Sequence, residues 1–402
     1  MAGRFFQGLV LLACITLSQN LSALSIGDIK IDGFGTLAAV KTDDAGVEYI
    51  NADDSWNLDT DSILGLQLYY PFNETFSVTA QMSAQGKDHY DVEKDTAWFY
   101  GAYAMTDDTS VRAGRLRIPF FAKSESLEVG YSYHWIRPPT DVYGQLGFTN
   151  FDGMDVLVNV PVGSMRMLVQ PYAGVTNPEQ DFQGDTGELD VTNLWGLNVE
   201  LASGPVTYRI GHTEGDFDIN GVEALDGFIG GLAMAGFPQV ADKFGIQNRH
   251  GKFSGVGVEF DNDNILMAAE YTKRKTDGLI PDTTGWYTTL GYRFGSVMPH
   301  ITYSELETDE NYDSVNSQTS LMPAQLAKGS AQFVQMNTSN NESLTLGVRW
   351  DVMPKLALKA EWQKMNVDSG SYPINPLFGV KPSAYTAGDD IELFSLALDF
   401  IF

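Results

Sequence analysis

The sequence predicts an all-β fold: a transmembrane antiparallel β-barrel of about 16 strands, with a loop after strand five folded inward as a constriction. Three observations predict it. Segments of about ten residues alternate apolar with polar side chains, and tight turns take turns with long polar loops between them. No stretch after residue 25 reaches the roughly 18 apolar residues of a helical membrane span. The final segment, Ile391 to Phe402, sets Glu392, Phe394, Leu396, Leu398, Phe400 and Phe402 on one face.

The elements follow in order. The first strand is Ile29 to Val40, and the second puts Leu64, Leu66, Leu68 and Tyr70 on one face before the turn Pro71 to Glu74. The third alternates Phe76, Val78, Ala80 and Met82 with Ser77, Thr79, Gln81 and Ser83. The fourth is Ala97 to Met105, and the fifth is Ser110 to Ile118. Strand pattern then stops at Pro119, which has no backbone N–H to donate. It resumes near Gly153, at Asp155 to Val160. A structureless connection of that length is unusual unless functional, so residues 118–152 are the expected constriction loop.

Strands seven to nine carry Met165, Met167 and Val169; Trp195, Leu197, Val199 and Leu201; and Val206, Tyr208 and Ile210. An insert at 213–248 follows, with an apolar, Gly- and Ala-rich centre from Val222 to Val240 that suits a short packed helix at the mouth. Val256 and Val258, then Met267 and Tyr271, Trp286 and Leu290, and Ile301 and Tyr303 mark strands ten to thirteen. A polar loop to Asn341, two strands through Leu346 and Leu358, and the final segment complete sixteen strands. An open sheet edge would leave backbone groups unpaired in lipid, so the strands must close. Sixteen enclose a channel, and the polar face of every strand is expected to meet water.

Residues 1–25 read as a cleaved secretory signal: Arg4, an apolar run from Leu9 to Leu17, and Ala23-Leu24-Ser25. Residues 26–402 are then the barrel. The single cysteine, Cys14, falls inside the signal, so disulfides and a thiol nucleophile are excluded from the exported chain. Leu11-Leu12-Ala13-Cys14 is only a faint lipoprotein box. The net charge of −27 excludes the basic footprint of a nucleic-acid binder.

The whole exported chain resembles the trimeric sixteen-stranded porins of Gram-negative bacteria. The resemblance rests on the signal, on Asp32-Gly33-Phe34-Gly35-Thr36, on the loop after strand five and on terminal Phe402. Gly114 to Phe121 with Trp135-Ile136-Arg137-Pro138-Pro139 is similar to a recurring porin element. The best-known general porins carry Pro-Glu-Phe-Gly-Gly in that loop, and this chain does not. The resemblance implies an outer-membrane homotrimer, passive diffusion of small polar solutes and ions, contact with membrane lipid and lipopolysaccharide, and no cofactor. Phe402 would be the signal for the barrel-assembly machinery.

Opposed charges across a narrow, low-dielectric passage filter ions and orient dipoles. The loop offers Lys123, Glu125, Glu128, Arg137 and Asp141. Alternation sets Arg166, Arg209, Arg293, Arg349, Lys359 and Glu361 on the lumen wall, with Glu200, Glu259 and Glu270. Arg115 and Arg117 share a face with Val111 and Ala113, and a bulge at Gly114 would re-aim them. Trp98, Trp195, Trp286, Trp350 and Trp362 suit an interfacial girdle; inside the pore, such a track would mark a sugar-specific channel.

Enzyme readings find little. Gly33-Phe34-Gly35-Thr36-Leu37-Ala38 matches a dinucleotide fingerprint by letter but lies within one strand. Asp261-Asn262-Asp263 lacks the Glu of a calcium loop and reads as a turn. His134, near Ser132 and Asp141, is the sole local candidate for a hydrolytic relay. The alternatives to a diffusion channel are a solute-specific channel, an adhesin or receptor barrel, and an outer-membrane hydrolase.

Overall fold

The computed structural model describes residues 24–402 except 27, 45, 86–95, 183–184, 311, 374–377 and 381–385. The expected signal up to residue 23, with Cys14, and His89 lie outside the described residues. Eighteen described strands form one sheet. Two are short, Leu24–Ile26 and Glu179–Phe182. The other sixteen close into an antiparallel barrel, numbered here β1 (Ile29–Thr42), β2 (Ile63–Pro71), β3 (Phe76–Gln85), β4 (Thr96–Ala104), β5 (Thr109–Arg117), β6 (Asn150–Val162), β7 (Met165–Thr176) and β8 (Asp185–Ser203). The second half is β9 (Val206–Asn220), β10 (Arg249–Asp261), β11 (Ile265–Thr276), β12 (Thr283–Tyr292), β13 (Val297–Thr308), β14 (Asn341–Met353), β15 (Leu356–Val367) and β16 (Ile391–Ile401). Every neighbour is antiparallel, and β1 pairs with β16 to close the ring. Among the described residues no helix is long and apolar enough to cross a membrane; strands make the crossing.

Alternation decides the two faces. On β12, Trp286, Thr288, Leu290 and Tyr292 point out, while Thr283, Tyr287 and Thr289 are buried inside. Leu66, Phe99, Tyr103, Ile210, Leu290 and Leu346 are all exposed on the outer face. Such a continuous apolar band is stable only where lipid, not water, covers it. Trp195 and Trp350 belong to it, and Trp286 and Trp362 donate their indole N–H groups to Glu305 (3.1 Å) and Glu392 (2.9 Å) on the same outer side. Trp98 departs from the expected girdle. It pairs with inward-facing Gln81, where a register shift interrupts the β3–β4 ladder.

The seam between β1 and β16 explains the early glycines. Gly33 and Phe402 exchange both backbone hydrogen bonds, at 3.0 and 2.8 Å. The stacked rings of Phe400 and Phe402, 6.4 Å apart, lie across Gly35 and Gly33. A Cβ at Gly33 would overlap the Phe402 ring. Gly33→Leu is therefore expected to weaken closure by about 1–3 kcal/mol, the usual range for overpacking. The check is a lower unfolding temperature in a heat-modifiability gel.

The interior differs from the expected water-lined wall. The upper inward positions of β8 to β10 are apolar: Leu189, Val191, Leu194, Phe217, Ile219 and Phe253. They face a packed mass, because helices cover that side. With α1 kept for the short helix Thr140–Tyr143 in the β5–β6 loop, these are α2 (Glu223–Met234), α3 (Pro238–Lys243), α4 (Asp313–Thr319) and α5 (Ala324–Met336). Phe228, Phe244 and Phe333 meet there with ring centroids 5.0 to 6.1 Å apart. The 213–248 insert narrows to 221–248, since β9 continues through buried Phe217 and Ile219. The connection expected as a polar loop before Asn341 contains α4 and α5, anchored by buried Val315 and by Leu326 and Phe333.

Candidate functional site

The connection from β5 to β6, residues 118–149, lies on the polar inner wall. Pro119 ends β5, the Pro138-Pro139 pair starts α1, and two single turns of 3-10 helix, Ser124–Ser126 and Gly130–Ser132, shape the rest. A loop that is buried must find partners for its backbone polar groups. Wall side chains on six strands, from β9 to β16, hold the loop through its backbone and side chains.

On β9, Arg209 donates to the Pro119 carbonyl. On β11, Glu270 accepts from the Ala122 N–H (3.0 Å) and the Tyr143 hydroxyl (3.3 Å), and Thr272 accepts from Gln145 at 2.7 Å. On β13, Thr302 accepts from the Trp135 indole at 2.9 Å, and Ser304 donates to Asp141 at 2.6 Å. Asn341 of β14 also donates to Asp141. Arg349 of β14 donates to the carbonyls of Tyr131 (2.8 Å) and Tyr133 (2.7 Å) and stacks on the Tyr131 ring. On β15, Lys359 donates to the carbonyls of Gly130 (2.7 Å) and Trp135 (2.6 Å) and pairs with Asp399 of β16 at 2.8 Å. Glu361 accepts from the Ile136 N–H at 2.7 Å. Arg137 reaches Asp61 through Nε (2.7 Å) and Ser395 through Nη2 (2.6 Å), over the Tyr49 ring.

The expected residues therefore divide. Arg209, Arg349, Lys359 and Glu361 do stand on the inner wall, and their polar atoms hold the loop. Arg137 and Asp141 hold it from the other side; Asp141 is fully buried, away from any open passage. Burial pushes the Asp141 carboxyl up to about 6, against the hydrogen bond from Ser304. Glu128 pairs with buried Arg117 and accepts from Gln81. Lys123 pairs with Glu259 at 2.6 Å, and Glu125 pairs with Arg112 at 3.2 Å while staying half exposed. Arg166 lies at the turn end of β7, and Arg293 pairs with Asp261 across two short turns at 2.6 Å. The Asp261 turn is closed by Asn262, whose Oδ1 accepts from the N–H groups of Asn264 and Ile265.

The Gly114 question resolves in two directions. Its φ is +134°, a conformation that side chains rarely adopt, and an added Cβ would overlap the Phe99 carbonyl. Arg117 beyond it is buried against Glu128. Arg115 shares a face with exposed Phe99 and pairs with Asp152 at 2.9 Å, on the outer side of the barrel.

Sequence reasoning missed Arg112 and Asp155. They are register partners on β5 and β6, buried and joined at Nε–Oδ1 2.9 Å, with Gln170 donating to the same carboxylate at 2.8 Å. Strand parity alone puts both inside, so the signal was present. His134 is not in a relay with Asp141. Its ring lies 3.3 Å from the Thr289 hydroxyl, and burial holds it well below its usual range, hence neutral.

The arrangement is a closed barrel whose inner surface carries a pinned loop. Solved structures place it among known folds. An anion-selective porin from Comamonas acidovorans superposes with a TM-score of 0.57 at 12% identity, over 93% of this chain and 99% of that one. The barrel has the porin fold. The outer membrane channel DcaP of Acinetobacter baumannii matches the porin fold here with a TM-score of 0.55 at 11% identity, covering 95% and 100% of the two chains. OmpT of Vibrio cholerae matches with a TM-score of 0.55 at 12% identity, covering 95% and 100%. No protein-family model matches this chain, and no curated protein matches it.

Proposed function

We propose that this protein is an outer-membrane porin, a water-filled channel for passive diffusion of small hydrophilic solutes and ions, narrowed by residues 118–149. The supporting observation is the pinned loop: wall residues on six strands from β9 to β16 hold it within a closed barrel whose exterior is apolar. The porins and channels among its structural neighbours support the same role. Export through a signal peptide, assembly as a homotrimer, contact with lipopolysaccharide and reading of Phe402 by the assembly machinery belong to this proposal.

Among the described residues, the charges left partly exposed on the loop and the facing wall include Lys123, Glu125, Glu200 and Glu259. Acids outnumber bases in that set, so the channel should prefer cations. Reconstitution in a planar bilayer tests the reading. Large conductance steps in salt support it, and folded protein that never conducts overturns it. Glu125→Lys should move the zero-current potential in a salt gradient toward anion preference, with less effect in high salt because screening shortens there.

A further inference from the structure

One cavity is unlike the rest of the interior. It lies between the loop, the upper wall and α5, holds about 230 Å³, and is lined mainly by apolar side chains. Phe120 and Phe148 of the loop meet at 5.6 Å between centroids, and Phe253 packs 5.4 Å from Phe120. Leu189 and Phe217 of the wall complete the apolar side. A dry apolar cavity of about 150 Å³ is enough to hold benzene. This one has room for a single aromatic ring with a substituent.

Arg274 lines the same cavity. Its guanidinium donates to the carbonyls of Gln145 and, at 3.1 Å, Pro281. Among the described residues it makes no ion pair, whereas the interior arginines Arg112, Arg117, Arg137, Arg209 and Arg349 all do. A guanidinium has five N–H donors, so several remain for a guest. Asp282 acts on it electrostatically without pairing with it, and Glu214 stands elsewhere on the lining, so a guest carboxylate would be its direct counter-charge. Ligand sites commonly join an apolar cavity with a few convergent polar groups.

We propose that this cavity is a binding subsite for a small aromatic monocarboxylate, with the ring among Phe120, Phe148, Phe217 and Phe253 and the carboxylate on Arg274. As a station on the permeation path it rests on the channel reading. As a binding site it does not, and the experiment separates the two.

Purified protein in detergent is titrated calorimetrically with benzoate, with benzyl alcohol (ring without charge) and with acetate (charge without ring). Benzoate should bind at least about tenfold tighter than either, the range of a charge-assisted hydrogen bond. Arg274→Gln should remove that advantage. Because Arg274 also supports the Gln145 carbonyl, a second variant is needed: Leu189→Trp fills the cavity from the wall and should abolish benzoate binding. Benzoate no tighter than its two controls, or unaltered by both variants, overturns the subsite. A protein that binds benzoate but never conducts salt in a bilayer keeps the subsite and loses the channel.

Discussion

Lys359→Met should release the loop and destabilise the barrel together. Both side chains of the Lys359–Asp399 pair are almost wholly buried, at 0% and 1% exposure. Removing one partner of such a pair costs about 3–5 kcal/mol, because the other charge stays buried alone. The carbonyls of Gly130 and Trp135 lose their donor in the same step. The expected result is a clear drop in unfolding temperature and a larger single-channel conductance. Adding Asp399→Asn to the same chain should recover part of the stability but not the conductance, since the carbonyls remain unserved. Unchanged melting and conductance in the single variant would show that the loop is held elsewhere.

The second large effect is one of pH. Asp141 anchors the loop from full burial, with Ser304 and Asn341 as partners and no ion pair among the described residues. Burial raises it from its ordinary 3.8 to about 6. The sign follows from linkage. A raised carboxyl favours the fold most when protonated. Its contribution is fully present below about 3.8 and lost as pH climbs through about 6. The total is on the order of 3 kcal/mol at about 1.4 kcal/mol per unit. The folded barrel should therefore melt higher at pH 5 than at pH 7.5. Asp141→Asn should lessen that difference, and the change between the two proteins isolates this residue from the other titrating groups. Parallel pH profiles for the two proteins would refute the assignment.

The barrel was legible because a period of two is a direct imprint of a wall between two media. All sixteen strands, the break at Pro119 and the role of Gly33 within a strand could be read. Alternation says which residues share a face but not what that face meets. Phe217 and Ile219 continue β9, yet their apolar partners are helices that no local pattern announces. The segment before Asn341 looked polar because α4 and α5 need only a few anchors, Val315, Leu326 and Phe333 among them. Arg115 and Arg117 share parity along the chain, and only the end of the strand separates an outer ion pair from a buried one. Asp141 looked like a pore charge by type and position; its burial depends on Ser304 and Asn341, far along the chain.

The seam between β1 and β16 sets an order of manufacture. Thr36 bonds Asp399 across 363 positions of sequence. Contacts of such range form late and slowly. From the moment β1 is made until β16 arrives, its hydrogen-bonding edge has no neighbour on that side, and lipid cannot serve as one. A half-made copy can therefore neither rest in the bilayer nor shield itself in water. A chain that lacks β16 should form no stable barrel in either setting.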